Sequence, residues 1–221
     1  MTLENNASDL SVVAIGASAG GPVALEKVFS KLPSGLKAAI VISQHMPRGF
    51  TKRLSERLAT VSNLPVREAR RGDVLQVETA LVTPGGYNME MSEDGRILLR
   101  EATQSPSPSI DIMMKSAANA FGPRCIGVLL TGMLTDGVLG MRAVKDGGGV
   151  TIVQDESSSL IFGMNKAAIE AGAVDIVAHI SCVALAITDS LSEPFFQHRS
   201  IYAELSRRYQ EGSNRAEAAT T

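Results

Sequence analysis

Three residues of this chain, Ser18, His45 and Asp136, carry side chains whose types could do chemistry together. A serine hydroxyl is a poor nucleophile until a histidine takes its proton, and that histidine needs an acceptor on its other ring nitrogen to fix the tautomer and hold the imidazolium. Nucleophile, base and orienter in one place would attack an acyl carbonyl. Each residue also has a plainer reading. Ser18 is the centre of Gly16-Ala17-Ser18-Ala19-Gly20, which fits the Gly-x-Ser-x-Gly elbow that lifts a serine hydroxyl clear of a sheet edge. The same glycine-rich turn could cradle a phosphate on backbone N–H groups at a helix N-terminus, or could serve only as a turn. Asp136 could cap the helix that follows it. His45 could be a stray histidine at a strand end.

The elements that must position these residues follow from the apolar pattern. Val12 to Ile15 run into the Gly16–Gly21 turn, and Val23, Leu25, Val28, Phe29 and Leu32 then recur at helical spacing; the order is strand, turn, helix. Residues 38–43 form a second buried strand that ends in Gln44-His45-Met46-Pro47, and a helix follows from about Gly49 through Leu58. Between 64 and 100 the pattern shifts to short β-prone pieces, 65–68, 80–83, 88–91 and 97–100, broken by turn residues. Hairpins are the expectation there. Ser109 is an N-cap for a helix from Ile110 to Phe121, with Asp111 in its first turn, where a carboxylate suits the helix dipole.

Residues 125–130 are the next strand, and they lead through Asp136-Gly137 into a helix holding Leu139, Met141 and Val144. Strands over 150–153 and 173–177 and helices over 167–171, 181–191 and 200–210 complete the pattern, with a disordered tail beyond. This alternation predicts an α/β fold: a doubly wound, mainly parallel sheet with helices on both faces and an antiparallel hairpin excursion. If the strands are parallel, Ser18, His45 and Asp136 all reach the carboxyl edge, where ligands and catalytic groups collect. A dinucleotide site would want Gly-x-Gly-x-x-Gly in the first turn and an acidic residue at the end of the second strand. The chain supplies neither.

Composition narrows the partners. With 221 residues, 44% apolar, 20% charged and a net charge of −2, the chain has no basic footprint for nucleic acid. The N-terminus carries Glu4 and Asp9 and no apolar core of a signal peptide. No apolar run approaches a bilayer span, so the expectation is a cytoplasmic protein without membrane insertion. Cys125 and Cys182 are expected to be buried small apolar residues. His45, His179 and His198 stand in unrelated contexts with no metal-ligand spacing, so neither metal nor cofactor is expected. His179 reads as a surface or edge residue.

The order Ser, His, Asp differs from the Ser, Asp, His order of α/β-hydrolases. The chain instead resembles the CheB-type protein-glutamate methylesterases of bacterial chemotaxis. The matching stretches are Ala14-Ile15-Gly16-Ala17-Ser18-Ala19-Gly20-Gly21, Gln44-His45-Met46-Pro47-Arg48-Gly49-Phe50, Ser107-Pro108-Ser109-Ile110-Asp111, Leu130-Thr131-Gly132-Met133 with Asp136-Gly137, and Gly163-Met164 with the run from Ala167 to Ala173. The resemblance implies Ser18 as nucleophile, His45 as general base then acid, and Asp136 as orienter, with Ala19 and Met133 near the oxyanion. It implies hydrolysis of glutamate methyl esters on the methylated cytoplasmic region of a chemoreceptor, and deamidation of glutamine as a side activity. It assigns residues 11–180 to the catalytic domain, after an extension over 1–10 and before C-terminal helices over 181–211 and a tail over 212–221.

Three departures from the family pattern stand out. Ala19 replaces a frequent Thr, and Leu134 replaces a usual Gly beside the presumed oxyanion site. Only about ten residues precede the first strand, so the expectation is a stand-alone domain without the receiver domain such enzymes usually carry, which leaves room for a separate regulatory protein as partner. The competing function class is a non-catalytic binding or scaffold module on the same fold, with catalysis impaired by Leu134.

Overall fold

The computed structural model describes residues 10–192. The elements expected over 200–210 and 212–221, and most of the extension over 1–10, lie outside the described residues. Strands β1 (Ser11–Ala17), β2 (Ala38–Gln44), β3 (Val66–Glu68), β4 (Ala80–Val82), β7 (Cys125–Leu129), β8 (Val150–Gln154) and β9 (Ile176–Ala178) form one sheet in the order β3-β4-β2-β1-β7-β8-β9. Every pairing in it is parallel. Helices α1 (Gly21–Phe29), α2 (Phe50–Val61) and α6 (Ile180–Ser190) contribute to the core on one face, and α3 (Ile110–Phe121), α4 (Val138–Asp146) and α5 (Gly163–Glu170) to the core on the other.

The two cores follow from strand alternation. Val13, Ile15 and Ala17 of β1 face the first helical layer, and Val12 and Ala14 face the second. Because β1 and β2 are covered on both sides, their sequences read as unbroken apolar runs. Burial is the reason Cys125 behaves as a small apolar residue: its thiol is pushed up to about 12. Cys182 is also buried and free.

The region expected to be hairpins divides in two. β5 (Tyr87–Met91) and β6 (Ile97–Glu101) form the antiparallel hairpin excursion. The pieces at β3 and β4 do not form a hairpin; they extend the main sheet in parallel. The Gly72-Asp73 turn between them does not fold β4 back on β3. The chain instead leaves the sheet, bridges Val74 to Arg96 of the excursion, and returns to enter β4 in the same direction. Turn residues report that the chain bends, not which strand it pairs with afterwards.

The strand order reverses at β1: the chain first builds outward through β2 and β4, then crosses to place β7 on the other side. That switch point opens a crevice at the carboxyl ends of β1, β2 and β7. Ile110, the first residue of α3, is fully buried against β1 and the start of α4. A Cβ at Gly16 would lie 2.3 Å from Ile110 Cγ2, and one at Gly137 would lie 3.0 Å from the same atom. Two glycines therefore form the notch that seats α3 against β1. Gly16→Ala is expected to lift α3 and to destabilise the fold by about 1–3 kcal/mol, the usual cost of overpacking a filled core. Chemical denaturation, with an unchanged midpoint as the contrary result, measures this.

Candidate active site

Ser18 follows β1 directly, and its turn is fixed by backbone bonds on both sides. Ser18 N donates to Thr131 O at 3.0 Å, beyond β7, and His45 N donates to Ala17 O at 3.0 Å, from the end of β2. The parallel ladders thus continue past the strands and pin Ser18 between His45 and Thr131. α1 begins at once, with Gly20 as its N-cap in left-handed backbone (φ 81°) and Pro22 in its first turn, a position where the missing proline donor costs nothing.

Ser18, His45 and Asp136, which are 91 residues apart at their widest hydrogen-bonded pair, come together here. His45 Nδ1 lies 3.1 Å from Ser18 Oγ, and His45 Nε2 lies 2.7 Å from Asp136 Oδ2. The His45 and Asp136 side chains are only 9% and 13% exposed, which keeps their contact largely out of water. An ionised carboxylate accepts and cannot donate, so Asp136 places the ring proton on Nε2 and leaves the Nδ1 lone pair facing the serine.

Asp136 is held on both oxygens. Oδ2 also accepts from Ile110 N at 2.8 Å, while Oδ1 accepts from Asp111 N at 3.0 Å and from Ser109 Oγ at 3.2 Å. Burial opposes the charged carboxylate, but the bonds from His45, Ile110 and Asp111 outweigh it and hold the Asp136 carboxyl below the ordinary range. The capping expectation is therefore corrected in its object. Asp136 caps α3, not the helix that follows it. The following helix, α4, has no side-chain cap from its own Gly137; Asp111 Oδ1 accepts from Gly137 N at 3.0 Å and Gly140 N at 2.7 Å. Asp111 sits in the first turn of α3 yet its carboxylate serves α4. Burial pushes the Asp111 carboxyl up, the Gly140 N–H pulls it back, and the nearby Asp136 charge pushes it up again.

Several supporting residues lack a sequence signal of their own. Gln44, buried at the end of β2, donates from Nε2 to Ser18 O at 2.8 Å and to His45 O at 3.1 Å. Thr131 Oγ1 donates to Ala19 O at 2.9 Å, and Thr131 N donates to the buried Gln154 Oε1 at 3.0 Å. Asn88, on the hairpin, accepts from Ser109 N at 2.9 Å and so sets the start of α3. An amide directly beside a candidate histidine, as in Gln44-His45, was the one hint available. His179 stands directly after the edge strand β9 as the half-buried N-cap of α6, its Nδ1 accepting from Ser181 N at 3.3 Å.

A cleft of about 420 Å³ opens over Ser18 and His45, walled by Pro22, Met46, Pro47 and Phe50. A larger one, about 850 Å³, lies across Asp136 between Asn88, Ser105 and Leu134 and reaches neither Ser18 nor His45. Only the smaller of these two gives access to Ser18. Ala19 lines that cleft, whereas Met133 is 54% exposed on the loop between Thr131 and Asp136. Among the described residues no three His, Cys, Asp or Glu side chains gather as a metal site, and no helix is long and apolar enough to cross a membrane.

Leu134 has left-handed backbone, φ 68°, and is 62% exposed. A branched side chain in that conformation costs roughly 1–2 kcal/mol, and exposure returns little of it. Leu134→Gly is expected to raise the stability of the protein by about 1 kcal/mol, after the larger unfolded-state entropy of glycine is deducted. Thermal or urea denaturation checks this. Asp136 gives a pH signature. Its folded-state value lies below the ordinary 3.8, so its contribution to stability is complete above that pH and is lost as pH falls through the folded value. Asp136→Asn should flatten the stability profile in that acid window, and an unchanged slope there would contradict the assignment.

A family model described as CheB methylesterase matches residues 13–187. A protein-glutamate methylesterase/protein-glutamine glutaminase of Moorella thermoacetica is 46% identical over 184 residues, 80% of this chain and 43% of the relative. One with the same name from Pyrococcus abyssi is 48% identical over 170 residues, 75% of this chain and 46% of the relative. The chain thus spans about half the length of the curated relatives it matches. The crystal structure of the Thermotoga maritima CheB methylesterase catalytic domain superposes with a TM-score of 0.78 at 34% identity, covering 81% of this chain and 98% of that one.

Proposed function

The chain belongs to the CheB methylesterase family, and from that premise we propose that it is a serine esterase that removes methyl esters from glutamate side chains of a chemoreceptor's cytoplasmic region. The observation that carries the reading is the unbroken line from Ser18 Oγ through His45 to Asp136, with contacts of 3.1 and 2.7 Å. Ser18 Oγ attacks the ester carbonyl while His45 Nδ1 takes its proton. The imidazolium that forms is stabilised by Asp136, which stays ionised because its bonds hold its carboxyl low. His45 Nδ1 then returns the proton to the departing methoxide, giving methanol and a glutamyl ester on Ser18. Water, activated by the same nitrogen, releases the glutamate carboxylate.

The oxyanion must be met by donors other than the Ser18 amide, which is spent on Thr131 O. The amide of Ala19, one residue past the nucleophile, and the Met133 segment are the proposed donors. Deamidation of glutamine would use the same steps with ammonia leaving. The apolar walls of the cleft, Pro22, Met46, Pro47 and Phe50, suit a short methyl-capped side chain more than a free carboxylate.

The test is methanol release from a methyl-labelled receptor cytoplasmic fragment. Wild type should release methanol, and Ser18→Ala should lower the rate by at least ~10³-fold, as loss of a triad member does. Leu134 does not line the cleft over Ser18, so Leu134→Gly should retain a rate of wild-type order. A silent wild type with an active Leu134→Gly would instead establish an obstructed site and favour the scaffold alternative.

A further inference from the structure

We infer that Asp111 is a positioning residue for Asp136, holding through backbone bonds the loop that presents the orienting carboxylate to His45; this rests on the esterase reading above. The geometry is reciprocal. Asp136 caps the start of α3, where Asp111 N is one of its three protein donors besides His45. Asp111 caps the start of α4, taking Gly137 N and Gly140 N on the single oxygen Oδ1. Gly137 is the residue next to Asp136, so the Asp111 bonds fix the Asp136 backbone from one side as the α3 amides fix its carboxylate from the other.

Alternative supports for that backbone are few. α4 has no side-chain cap of its own, and Gly137 and Leu134 both hold left-handed backbone within the loop. α3 and α4 are also packed tightly beside this pair, where a Cβ at Gly140 would lie 2.5 Å from Met114 Cβ and 3.3 Å from Asp111 Cα. The two helix starts cannot shift independently. Loss of the Asp111 acceptor leaves two amides at the start of α4 without their partner and frees the Asp136 backbone to move. A small displacement of Asp136 lengthens its bond to His45 Nε2, and His45 then loses the group that fixes its tautomer. Asp111 touches none of the reacting atoms, so the consequence falls on kcat and not on substrate binding.

A fluorophosphonate probe reads activation of Ser18 without a receptor substrate: Ser18 Oγ bonds to phosphorus, fluoride leaves, and the hydroxyl proton passes to His45. Asp111→Ala should lower both the labelling rate and kcat for methanol release by about 10- to 100-fold with KM little changed, the effect of misplacing a catalytic group by about an ångström. Asp111→Asn should stay within about threefold of wild type, because its carbonyl oxygen accepts the same two bonds. In an Asp136→Ala background the Asp111→Ala loss should largely vanish, since a positioning residue has nothing left to position. Should Asp111→Ala fail to fold, Asp111→Ser, whose hydroxyl is one bond shorter, carries the same expectation. Folded Asp111→Ala or Asp111→Ser that labels at the wild-type rate, or an equal loss with and without Asp136, would overturn this inference alone. A wild type that the probe does not label would overturn the esterase reading and this inference with it.

Discussion

The Asp136 carboxylate is the interaction on which the rest of the site depends. Four donors converge on its two oxygens: the imidazole of His45, the amides of Ile110 and Asp111, and the hydroxyl of Ser109. A buried carboxylate is costly unless such donors surround it, and here they keep it ionised. The arrangement does two jobs with one charge. It takes the first two amides of α3, and it fixes which nitrogen of His45 faces Ser18.

That carboxylate can be held only because the sheet is parallel and reverses its order at β1. The carboxyl ends of β1, β2 and β7 then lie side by side, and each delivers one member of the group at its first turn. The glycine notch at Gly16 and Gly137 seats Ile110 tightly enough for the α3 amides to reach Asp136. Packing beneath the site thereby sets hydrogen-bond lengths within it.

Uncharged side chains complete the support. Gln44 ties the carbonyls of Ser18 and His45 together, and Thr131 ties Ala19 to the β7 end while resting on Gln154. These groups carry no charge, so they stiffen the turn without adding a charge beside His45 or Asp136. Leu134 runs against this economy. It keeps a left-handed backbone that a glycine would adopt freely, and it lines the cleft across Asp136 and not the one over the serine.

The sequence by itself determined the alternation of strands and helices, the elbow around Ser18, and the N-cap at Ser109, because these rest on local periodicity and turn chemistry. It also placed Ser18, His45 and Asp136 at strand ends, which is enough to propose one edge. Only the tertiary structure decided that the pieces at 66–68 and 80–82 join the parallel sheet, since pairing partners are chosen by long-range contact and not by the turn between strands. The exchange of caps between α3 and α4 was equally hidden. An Asp in a first turn looks the same whether its carboxylate serves its own helix or a neighbour, and the difference arises only when two helix starts are packed within hydrogen-bonding distance.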